Sequence, residues 1–193
     1  YEPVEHTDDS LKRVKTKIKK TSKDNHEDYM LIFDEEFKPT ERTDNVSEFL
    51  KEFPDSKVLE LSFHGTGRIA GAYICRYGFA DVRGDVGIGI AGKMLGNGTY
   101  VAVNYDKSAS YVTDHGTTYR AGRHDGYLFT LRCAIGTRGV HHQYAGAGRG
   151  LRVEEWCLKL PTRQIDVLSI FKCHSVTKRE AHNILGEYAK WFH

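Results

Sequence analysis

The sequence predicts an α+β domain, and three observations carry that prediction. Strand-like apolar segments dominate its second half, only short helical stretches separate them, and no segment repeats. Taken in order, residues 1–43 are polar and poor in periodic apolar positions, which reads as an arm with one short helix or strand around "YMLIF" (29–33). Residues 44–193 are then the folded domain. In "DNVSEFLKEFP", Val46, Phe49, Leu50 and Phe53 recur at helical spacing before Pro54 stops the run. "KVLELSF" (57–63) reads as a strand and "GRIAGAYICRYGF" (67–79) as a short helix closed by Gly78. "TYVAV" (99–103) alternates as a strand, "NYDKS" (104–108) reads as a turn, and "SASYV" (108–112) opens a helix. Tyr100 and Tyr111 would then face each other across that corner. "YLFTLRCAIG" (127–136), "LRVEEWCLKL" (151–160) and "QIDVLSIFKC" (164–173) give three more strands. "TKREAHNILGEYAKWF" (177–192) sets Ala181, Ile184, Leu185, Tyr188 and Trp191 along one helical stripe.

Composition bounds the function. With 193 residues, 39% hydrophobic and 28% charged, the chain has the balance of one soluble globular domain with a core of its own. A net charge of +2 proposes no nucleic-acid partner. Six of the ten residues in "LKRVKTKIKK" (11–20) are Lys or Arg, a run that reads first as a solvated arm and second as a phosphate- or membrane-contacting tail. The four cysteines, Cys75, Cys133, Cys157 and Cys173, form no Cys-x-x-Cys pair, and three sit in apolar strands. Buried free thiols and an intracellular, reducing compartment follow as expectations. No signal peptide and no apolar run near 18 residues is present, so no membrane span is expected. A secreted effector or toxin remains open.

Several motifs reduce to bland readings. "VGIGIAG" (86–92) matches a dinucleotide-binding pattern, but "KMLGNGTYVAV" follows it where a helix would be needed. "GAGRG" (146–150) reads as a glycine loop for the same reason. The ten histidines, the adjacent His141 and His142 among them, show no ligand spacing, so no metal is expected. His64 differs: it ends an apolar strand and glycine follows, so ring and main chain can both approach a ligand. Of Glu154 and Glu155 in "LRVEEW", strand alternation sends one outward and the other inward.

In chain order, "HGT" at a strand end, "GKMLGNGTYVA", "KSASY", "LFTLRCAIG" and "VEEW" leading into "QIDVLSI" resemble the catalytic domain of the poly(ADP-ribose) polymerases. The resemblance covers about residues 58–173. It implies the ADP-ribosyltransferase fold, with mixed, mostly antiparallel sheets forming a split β-core. It also implies an NAD+ site that uses NAD+ as substrate, with no true cofactor. In that site His64, with Thr66 in the same "HGT", holds the adenosine ribose. The Gly65 main chain grips the nicotinamide carboxamide and Ser108, preceded by Lys107, donates to its oxygen. Tyr100 and Tyr111 sandwich the ring, and His64, Tyr100 and Glu155 form the catalytic triad. Glu155 rather than Glu154 is the match because an aromatic residue, Trp156, follows it. Breaking a nicotinamide–ribose bond builds oxocarbenium character that a carboxylate can stabilise, so these residue types also suit the chemistry.

The expected activity is transfer of ADP-ribose from NAD+ to a protein side chain, as a single unit. NAD+ glycohydrolysis, a nucleic-acid acceptor and an inactive NAD+- or ADP-ribose-binding module are the alternatives. The oligomeric state stays open.

Overall fold

The computed structural model describes residues 1–3, 15–18, 29–79, 95–109, 111–112, 124–146 and 154–177. The stripe at 177–192 and the glycine pattern at 86–92 lie outside them, Thr177 excepted.

Nine strands and four short helices account for the regular structure of these residues. In chain order they are β1 (Glu2–Pro3), β2 (Lys15–Ile18), β3 (Tyr29–Lys38), α1 (Asn45–Glu52), β4 (Val58–Gly67), α2 (Arg68–Tyr77), β5 (Thr99–Ala102), α3 (Tyr105–Ala109), β6 (His124–Ala134), β7 (His142–Ala145), β8 (Glu155–Leu158), α4 (Pro161–Gln164) and β9 (Ile165–Thr177). The strands form one sheet in the order β1-β3-β9-β6-β4-β5-β8-β7, with β2 also on β3, and every pair is antiparallel. The α+β class predicted from the strand-rich second half is the observed one.

The ladders are uneven. β6 and β9 pair from His124 with Ser175 to Cys133 with Ile165, and β4 and β6 from Val58 with Ala134 to Gly67 with Gly126. β4 and β5, by contrast, are joined through one pair, Phe63 with Ala102. The sheet is therefore two half-sheets meeting at a narrow seam, β4 on one side and β5-β8-β7 on the other.

Side chains alternate across the sheet, which splits the core in two. Phe129, Leu131, Val101, Trp156, Leu158, Ile165 and Ile170 bury on one face, and Leu31, Phe33, Leu128, Cys173, Ala109 and Val112 on the other. Helix α2 covers the first face and ends at Gly78, as the sequence signalled, where φ of 78° and ψ of 179° make a conformation that favours glycine. Helix α3 covers the second.

Two corrections concern chain organisation. The element expected around 29–33 is a strand, but it runs to Lys38 and belongs to the sheet and not to an arm, because β3 pairs with β9 and buries Leu31 and Phe33. Its exposed Glu35 hides the pattern from a composition count, since a bulge between Phe33 and Glu35 breaks the alternation. The corner after β5 is also helical earlier than expected. Asn104 Oδ1 accepts the Lys107 N–H at 3.2 Å, capping α3 at 105–109, so the expected turn is helical from Tyr105 on and Tyr111 lies past the helix end.

Helix α1 is anchored from far away. Asp166 on β9 accepts the Asn45 N–H at 2.8 Å, the Val46 N–H at 3.3 Å and the Thr43 hydroxyl at 2.8 Å. A carboxylate at a helix N-terminus suits both the free amides and the dipole.

Candidate active site at the seam

Past Phe63, β4 separates from β5, and the candidate residues gather at the gap. His64 projects to the first face, where its ring meets Phe79 edge-on at 5.4 Å and Phe129 at 6.2 Å. Its Nδ1 lies 2.7 Å from the Tyr100 carbonyl, so a side chain bridges the seam where the backbone ladder has stopped. A carbonyl oxygen only accepts, which puts the proton on Nδ1 and leaves Nε2 as an acceptor. Burial holds this imidazole below its ordinary 6.5, against the pull of the Tyr100 bond, so the ring is neutral near pH 7.

Gly65 turns toward α3. A Cβ there would sit 1.8 Å from the Ser108 carbonyl oxygen, so only glycine permits this close approach. The Ser108 hydroxyl, itself buried, donates to the Phe63 carbonyl at 2.8 Å. That carbonyl therefore points to the edge away from β6. By strand alternation the Gly65 N–H and C=O point to the same edge, where β5 offers no ladder partner. Among the described residues no strand pairs with Gly65 on that edge, and one donor and one acceptor side by side are the complement of a carboxamide. Thr66, half-buried, follows opposite Tyr127 on β6.

Strand β5 sends Val101 into the first core, so Tyr100 and Ala102 face the other way, toward α3. On β8 the same alternation buries Trp156 and turns Glu155 and Cys157 to the Tyr100 side, with Ala102 opposite Glu155 and Tyr100 opposite Cys157. Glu155 is 6% exposed, whereas Glu154 is exposed and accepts the Tyr144 hydroxyl at 2.7 Å. Burial pushes the Glu155 carboxyl above its ordinary 4.5, and the Lys107 charge pulls it partly back. Lys107 also lies 5.5 Å from the centre of the Tyr111 ring. The Tyr100 phenol is pushed up to about 12 by burial, with Cys157 and Glu155 adding to it and the Leu95 N–H opposing. It stays neutral, donating to Gly96 O at 2.8 Å and accepting from Leu95 N at 2.9 Å.

His64, Gly65, Tyr100, Lys107, Ser108, Tyr111 and Glu155 thus lie on the elements flanking one seam. Three details differ from expectation. The His64 ring lies on the first face while Tyr100 and Glu155 turn to the second, and the contact that joins His64 to Tyr100 runs from its ring to the Tyr100 main chain. Ser108 has its only hydroxyl proton committed to Phe63, so it meets a ligand as an acceptor unless it rotates. Among the described residues no ring contact joins Tyr100 and Tyr111: Tyr111 carries the Lys107 ammonium, and the Tyr100 hydroxyl is hooked onto residues 95–96.

His141 and His142 are structural. His141 Nδ1 accepts the Thr137 N–H at 3.0 Å and His142 Nδ1 meets Ile135 O at 2.8 Å, which fixes the turn into β7. Among the described residues no group of His, Cys, Asp or Glu has the makings of a metal site, and all four cysteines are free. No helix among them is long and apolar enough to cross a membrane.

The sequence reading missed Lys159. Its ammonium donates to Leu95 O at 3.0 Å and Asn97 O at 2.8 Å, and lies 3.5 Å from Cys157 Sγ. Spacing could have found it, because Glu155, Cys157 and Lys159 follow each other at intervals of two. A scan against protein-family models and a search of curated proteins both return no match for this chain.

Proposed function

We propose that the protein is an ADP-ribosyltransferase of the diphtheria-toxin-type, His-Tyr-Glu kind, which cleaves the nicotinamide–ribose bond of NAD+ and transfers ADP-ribose to a protein side chain. One observation carries the reading. Motifs from four stretches of chain meet at the one-pair seam, and of the two adjacent glutamates it is Glu155 that is buried there beside Lys107 and Tyr100.

The residues divide the work by their chemistry. The Gly65 edge, with its paired N–H and C=O, holds the carboxamide and so the angle of the pyridinium ring. His64 Nε2, the bare nitrogen of a neutral imidazole, accepts a ribose hydroxyl proton. Tyr111 and the Tyr100 ring bound the heterocycle on its faces, where a cation suits a π-system. As the glycosidic bond lengthens, positive charge grows on the ribose and the Glu155 carboxylate stabilises it in a low-dielectric setting. The same carboxylate then orients the incoming nucleophile and takes its proton.

The test is incubation with adenine-labelled NAD+ and a cell lysate, followed by separation of protein, nucleic acid and free ADP-ribose. Label on protein, with nicotinamide released, is the expected result. Label only in free ADP-ribose makes the protein a glycohydrolase, label on nucleic acid changes the acceptor, and bound but intact NAD+ leaves a binding module. Intact, unbound NAD+ refutes the reading.

A further inference from the structure

We propose that Lys159 is a positioning residue, which locks residues 95–97 against β8 and thereby fixes the ring of Tyr100 in the seam. The inference rests on the functional reading above for its consequence, and on geometry for its substance.

Tyr100 is tethered at its far end, its hydroxyl held by the Leu95 N–H and the Gly96 carbonyl. The ring is therefore only as fixed as that turn. The turn makes no strand ladder of its own, since β5 begins at Thr99. What holds it comes from β8. Lys159 spends its three ammonium protons on Leu95 O, Asn97 O and the Cys157 sulfur, and the Cys157 thiol reaches Gly96 O at 3.6 Å. All three carbonyls of residues 95–97 are thus capped by Lys159, Tyr100 or Cys157. A cation suits this job because it brings three donors and no acceptor to a cluster of oxygens. Lys159 is offset from the reacting atoms by the turn and by Tyr100, so it acts through them and not on substrate.

The full chain, labelled with ¹³Cζ-tyrosine, gives one phenol resonance that Tyr100→Phe removes, and that resonance reports on Tyr100. Two substitutions, Lys159→Met and Lys159→Gln, are compared so that a packing failure in one leaves the other. Both are expected to move or broaden the Tyr100 resonance while the other tyrosines stay put. Both should lower the rate of nicotinamide release by roughly ten- to a hundredfold, with KM for NAD+ within a few-fold, because misplacement of a positioned group costs rate before binding. Lys159→Arg, which restores a cation with several donors, should return both signals most of the way. An unchanged Tyr100 resonance in Met and Gln variants overturns the proposal, whatever the turnover does. A wild-type chain that releases no nicotinamide defeats the functional reading instead, and the resonance comparison still decides the role of Lys159.

Discussion

The two half-sheets that meet at Phe63 and Ala102 are built on different terms. In β3, β9, β6 and β4 the strands run ten residues or more, ladders pair along most of their length, and both faces bury apolar side chains. In β5, β7 and β8 the strands are four residues long. One face of β5 and β8 gives Val101, Trp156 and Leu158 to the core, and the other carries Tyr100, Cys157 and Glu155. Long ladders supply rigidity and short ones leave an edge where backbone groups and carboxylates can meet a ligand. The seam places the candidate groups where the two halves join, and His64 pins that junction across.

The largest test of that contrast removes part of the long half. A chain starting at Asp44 lacks β3, so Leu128, Phe171 and Cys173 lose the cover of Leu31 and Phe33. Such a chain is expected to show no cooperative thermal unfolding by circular dichroism. A melt within a few degrees of the full chain would mean that the long half ends at β9.

Next in size is the short half's chemistry. On the proposed mechanism Glu155→Gln is expected to reduce nicotinamide release by on the order of 10²–10³ while NAD+ affinity stays within a few-fold, since the charge it would meet develops only in the transition state. Glu154→Gln, an exposed residue on the Tyr144 hydroxyl, should leave turnover within about twofold, the scatter of an ordinary surface change. Reversal of the two outcomes would shift the register of β8 by one residue.

A smaller effect lies in the pH profile. On the proposed mechanism the ionised Glu155 is the active form, so kcat/KM is expected to fall as pH drops through its raised value, giving an acid limb above the ordinary 4.5. Lys107 lowers that value, so Lys107→Met should move the limb to higher pH. Movement to lower pH would show that Lys107 does not face this carboxyl.

The smallest expected effect concerns His64. Its folded value is depressed below 6.5, so the unfolded chain binds a proton that the folded chain refuses. The stability it contributes is present above pH 6.5 and is lost as pH falls toward the folded value. His64→Asn keeps an N–H for the Tyr100 carbonyl and removes the titration, so stability measured by denaturant should fall less steeply with acid. Some slope remains, because burial holds His142 down as well. An unchanged slope would place the acid sensitivity elsewhere.

Much of this was legible in the chain. Apolar strand-like runs located β4, β5, β6, β8 and β9, helical spacing located α1, and a closing glycine marked the end of α2. The burial of Glu155 over Glu154 was readable only as a choice of two, and Trp156 on the opposite face settles it. At 29–38 the sequence signalled an element but not its place in the sheet, since a bulge and exposed acids interrupt the pattern around the buried Leu31 and Phe33.

By itself, then, the sequence determined the class, most element types and the identities of the candidate groups, since each depends on local period and on residue chemistry. Tertiary structure alone decided four things. These are the single pair at the seam, the hold of Asp166 on α1, the use of the Ser108 proton by Phe63, and the grip of Lys159 on residues 95–97. Each joins positions 45 to 121 residues apart, except the seam pair at 39, and no periodicity encodes which distant carbonyl a given donor will meet.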